Sequence, residues 1–143
     1  MGTGACQTQK DMGLALYKTG QTAKAIVYFR RALKLSPGKE PVMNNLAWIL
    51  VTSDDPEVRD PVKAVRLAEQ LGRGMANHSY DALDTMGAAY ASAVQYDKAV
   101  RTAEQAVLSA TFAKPTDTGL LHQLRSRLRL YRRGQSCRES ALP

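Results

Sequence analysis

Residues 6–39 read CQTQKDMGLALYKTGQTAKAIVYFRRALKLSPGK. Apolar side chains at Met12, Leu16, Ile26, Phe29, Leu33 and Leu35 recur at helical spacing on both sides of Lys18-Thr19-Gly20. The spacing predicts two helices joined by a tight turn, with Gly20 as the left-handed residue that ends the first. Gly13 allows a second helix to approach closely, and Phe29 between Ala25 and Ala32 gives the small-large-small alternation that lets antiparallel helices interlock. Pro37 closes the unit, which returns twice downstream.

The unit resembles the tetratricopeptide repeat, a helix–turn–helix of about 34 residues. Its marked positions are held here by Gln9, Met12, Gly13, Leu16, Ala25, Phe29, Ala32 and Pro37. Gly13, Ala25, Phe29, Ala32 and Pro37 match by identity, Met12 and Leu16 match in character, and Gln9 departs. The resemblance implies an all-α, right-handed α-solenoid of three antiparallel helix pairs plus a terminal capping helix, seven helices in one domain over 6–133. The repeats are expected at 6–39, 40–78 and 79–112, the capping helix at 117–133, and flexible termini at 1–5 and 134–143.

In the second repeat Pro41 suits a first helical turn, and Met43, Leu46, Ala47 and Leu50 take the pattern positions. The connection TSDDPEVRDP is longer than the standard turn, and Asp60-Pro61 reads as a cap and first residue of the next helix. Ala64, Ala68 and Leu71 take that helix's core places, and Asn77-His78-Ser79 is a connector. In the third repeat Leu83, Met86, Gly87 and Tyr90, then Ala99, Ala103 and Ala106, fall on pattern. Val94 stands where Gly20 stood, so the turn there is expected to be strained if it keeps the same shape. The last helix carries Leu120, Leu121, Leu124, Leu128 and Tyr131 on one stripe, and Arg125, Arg127, Arg129, Arg132 and Arg133 are expected to cover its wet side. NNLAWIL with its long loop, LDTMGAAYA and RLRLYRRGQ together resemble a recurring bacterial subset of these repeat proteins.

The chain of 143 residues is 44% hydrophobic and only 6% aromatic, which favours helix. It has no apolar run long enough to span a bilayer and no signal-peptide core, so a cytoplasmic protein is expected. Cys6 and Cys137 are two isolated thiols. Net charge is +6 over residues 1–39, −4 over 40–117 and +5 over 118–143. No HExxH, paired CxxC or GxGxxG is present, so no enzyme, cofactor or metal is expected.

The resemblance places the first helix of each repeat on a concave face. It implies a protein-interaction scaffold whose peptide groove is formed by Lys10, Leu14, Tyr17, Lys18, Asn44, Asn45, Trp48, Val51, Thr52, Asp81, Asp84, Ala88 and Ser92. Trp48, the single tryptophan, is expected to be the anchor, and Trp48→Ala to spare the fold. Some family members clamp a peptide carboxylate with five polar residues. Lys10 and Asn45 match that set while Leu14, Asp81 and Thr85 do not, so this ligand class is set aside. Two other readings are self-association through the uncapped first repeat and anion binding by the arginine-rich helix. The acidic middle of the chain disfavours nucleic acid as the partner.

Overall fold

The first repeat forms as its spacing requires. In the computed structural model, which describes residues 2–74 and 79–136, α1 (Gly2–Lys18) and α2 (Thr22–Leu35) pack antiparallel. Phe29 is wholly buried between them. A Cβ on Gly13 would come within 2.8 Å of the Phe29 ring, so the glycine is what lets the two helices close. α1 is helical from Gly2, ahead of the domain start expected at residue 6. Its Cys6 is buried, and the thiol donates to the Ala32 carbonyl.

The second pair is α3 (Glu40–Thr52) and α4 (Pro61–Gly74). Pro41 sits in the first turn of α3, and Asp60 caps α4 by accepting from the Lys63 N–H. The long connection folds back on itself: Asp55 accepts from Val58 and Arg59, and the Asp60 N–H donates to Leu50 O. Val58 is thereby tucked into the core.

The third pair is α5 (Tyr80–Ser92) and α6 (Tyr96–Ala113), and α7 (Thr118–Arg132) packs against α6. Ser79 caps α5 through the Ala82 N–H, and Asp117 caps α7 through the Leu120 N–H. The described residues are thus seven helices with no strand, the architecture of a helical solenoid. Among them, no helix is long and apolar enough to cross a membrane. Cys137, most of the Asn77–Ser79 connector and the tail from 137 lie outside the described residues.

Three helices end in one way. The N–H groups of Gly20 and Gln21 donate to Tyr17 O and Leu16 O, those of Val94 and Gln95 to Ala91 O and Tyr90 O, and those of Gly134 and Gln135 to Tyr131 O and Leu130 O. This is the Schellman closure, whose left-handed residue has φ of 83° at Gly20, 69° at Gly134 and 61° at Val94. A β-branched side chain pays for that conformation in steric strain. Val94 is 73% exposed, so little packing is lost on removing its side chain. Val94→Gly is therefore expected to stabilise the protein by about 1 kcal/mol. A thermal melt checks this: an unchanged or lowered midpoint contradicts the strain.

Candidate functional site

α1, α3 and α5 carry the equivalent positions of the three repeats. Lys10, Asn44 and Asp84 share one level, and Leu14, Trp48 and Ala88 share the next. The structure does not leave all of them open. Lys10, Leu14 and Tyr17 are half-buried and Lys18 is exposed. Asn44 and Asn45 are half-buried, but Trp48, Val51 and Thr52 are buried. Asp81 is exposed, Asp84 and Ala88 are buried, and half-buried Ser92 donates its hydroxyl to Ala89 O.

Trp48 is 0% exposed, which corrects the expectation that it anchors a ligand in an open groove. The reason lies in α7. Arg127 reaches Asp84 at 2.8 Å between Nη1 and Oδ2, and its guanidinium lies 4.8 Å from the centre of the Trp48 ring. Carboxylate and indole together make a site that reads an arginine through charge, hydrogen bonding and the ring face, and the chain's own Arg127 fills it. Arg127 is only 3% exposed, so it does not belong to the wet arginine face on which the sequence reading placed it. The spacing carried the signal. Arg127 is three residues after Leu124 and four before Tyr131, both buried, so it stands on the inward stripe.

Tyr131 of α7 lies against Gly87 of α5, where an added Cβ would be 3.4 Å from the ring. Gly87 holds the same repeat position as Gly13, so α7 uses the smallest side chain on α5 to seat its aromatic residue.

What stays accessible lies at the two ends of α3. At its N-terminal end a cleft of about 280 Å³ is lined by Glu40, Pro41, Asn44, Asn45, Leu71, Ser79, Asp81 and Ala82. Its charged groups are both carboxylates, from Glu40 and Asp81. Asn44 Oδ1 is buried and has no hydrogen-bond partner among the described residues. The walls desolvate Asp81 and raise its carboxyl above the ordinary aspartate value. A cleft rich in acceptors suits a donor-bearing, positively charged group.

At the C-terminal end, Tyr17, Gly20, Thr22, Thr52, Ser53, Asp54 and Asp55 line a second cleft of about 270 Å³. The Tyr17 hydroxyl pairs with Thr52, whose own hydroxyl donates to Trp48 O at 2.8 Å. Burial raises the Tyr17 phenol and the Thr52 hydrogen bond partly opposes the shift.

Residues 7–39 match the sequence model of the tetratricopeptide repeat family. A fold comparison finds the N-terminal domain of stress-induced protein-1 (STI-1) from C. elegans, with TM-score 0.60 and 22% identity, covering 88% of this chain and 96% of that domain. Among curated sequences, the protein CTR9 homolog of Arabidopsis thaliana is 26% identical over 102 residues, 71% of this chain. The chain spans only 9% of that protein's length.

Proposed function

We propose that this chain, whose residues 7–39 match the tetratricopeptide repeat and whose helices share the fold of such a domain, is a non-catalytic module that binds a polypeptide segment of a partner on the α1–α3–α5 side. One observation carries the reading: the cleft between the N-terminal ends of α3 and α5 gathers the Glu40 and Asp81 carboxylates with an Asn44 acceptor that has no partner among the described residues. The segment places a lysine or arginine side chain there. Lys10 and Lys18 on α1 then face a more acidic part of the same segment, with half-buried Leu14 and Tyr17 as the apolar floor. Asp84, Trp48, Val51 and Ala88 take no direct part, because α7 and the neighbouring helices cover them.

The test is a library of labelled synthetic peptides read by fluorescence anisotropy. The peptides retained are expected to carry a basic residue, and the double variant Glu40→Gln with Asp81→Asn is expected to bind them about tenfold more weakly. Loss of affinity in Lys10→Gln is expected only for peptides that also carry an acidic residue. Retention of peptides without basic residues, or unchanged affinity in the double variant, contradicts the proposal.

A further inference from the structure

We propose that the outward face of α7 docks an acidic polypeptide segment of a second protein partner, at a surface separate from the cleft above. Arg125, Arg129, Arg132 and Arg133 are exposed and recur at i, i+4, i+7 and i+8, which makes them one stripe along the last two turns. α7 contains no acidic residue. Among the described residues none of the four has a carboxylate within ion-pairing distance, and Arg129 is held by a hydrogen bond to Ser126 Oγ at 2.9 Å. A helix face kept only for solubility mixes both signs of charge, whereas α7 itself carries positive charge alone.

A second element extends the stripe. Where the end of α7 meets the start of α6, a cleft of about 470 Å³ is lined by Arg101 and Arg132 beside Tyr96, two guanidinium groups against the single carboxylate of Asp97. Guanidinium groups bind carboxylates in pairs of parallel hydrogen bonds, so a row of them selects planar acidic groups and not merely negative charge. α2 provides the contrast. It too lacks acidic residues, but its exposed set is Lys24, Arg30, Arg31 and Lys34. Two of these are lysines, and the Arg31 guanidinium already lies 5.0 Å from the centre of the Tyr28 ring.

Size and surroundings decide among anionic partners. From Arg125 to Arg133 the helix rises about 12 Å, the reach of two turns of an acidic helix. A nucleic-acid duplex has a wider footprint than the stripe and would extend over the exposed Asp97 of α6, which lines the cleft with Arg132. A lipid surface needs apolar side chains that dip between headgroups, and Leu121, Leu124, Leu128 and Tyr131 of α7 are turned into the core.

The experiment uses a fluorescein-labelled glutamate-rich peptide as probe, in roughly 0.15 M salt so that distant attraction is screened. Changing Arg125, Arg129, Arg132 and Arg133 together to Gln is expected to weaken binding at least about tenfold. Changing Lys24, Arg30, Arg31 and Lys34 together to Gln removes the same charge and is expected to leave affinity within about threefold. Equal losses in the two variants overturn the proposal, because the probe then reads only the net charge of +7. Arg129→Glu, a single exposed change, is expected to weaken binding on its own and serves if the fourfold variant melts early. Tighter binding of a DNA duplex or of phosphatidylserine vesicles than of the peptide, at the same salt and with the same arginine dependence, also overturns it.

Discussion

Arg127→Met is expected to destabilise the protein by about 3–5 kcal/mol, because it leaves the Asp84 carboxylate buried without the opposing charge of the guanidinium. Asp84 and Arg127 are both almost completely enclosed, and the guanidinium also covers Trp48. Removing either charge strands the other in a low-dielectric setting, so Asp84→Leu is expected to cost a similar amount. The double variant Asp84→Leu with Arg127→Met removes both charges and is expected to recover most of the loss. Urea denaturation of the four proteins closes the cycle. Single variants that cost under about 1 kcal/mol would mean that the pair is solvated and that α7 does not close over the inner face.

Trp48→Ala is the second large effect, at about 3–5 kcal/mol for an aromatic side chain removed from a filled interior. Trp48 is enclosed by α3's own neighbours and by Arg127, so truncation leaves a cavity and also takes the ring from beneath the guanidinium. This reverses the expectation drawn from the sequence, in which a groove residue carries affinity and spares the fold. The loss appears as a lower midpoint in a denaturant titration followed by circular dichroism. A folded Trp48→Ala protein of unchanged stability would return the residue to an open surface.

The fold was legible because its signals are local. The 3.6-residue periodicity, the small-large-small order around Phe29, the Asp60-Pro61 start and the Gly20 stop each act within one or two turns. Even the odd residue was informative: Val94 keeps the left-handed turn of its glycine counterpart because the flanking hydrogen bonds are the same. The surface was less legible because it depends on where α7 comes to rest. Trp48, Val51 and Ala88 read as an apolar groove floor by repeat position, and nothing near them in sequence shows that Arg127, 79 positions beyond Trp48, covers the indole. Sorting Arg127 with the other arginines by residue type hid its place on the inward stripe. Asn44, Asn45 and Asp81 line the accessible cleft at the starts of α3 and α5.

The closing of the inner face by α7 is tested most directly by the single tryptophan itself. Acrylamide quenching of the native protein, with the emission spectrum recorded alongside, reports how much of the Trp48 ring meets solvent. A buried indole under Arg127 predicts emission well to the blue of free tryptophan and quenching far weaker than that of N-acetyltryptophanamide, with both lost in Arg127→Met at denaturant concentrations the wild type withstands. Solvent-like emission from the native protein, quenched as readily as the free indole, would contradict the account.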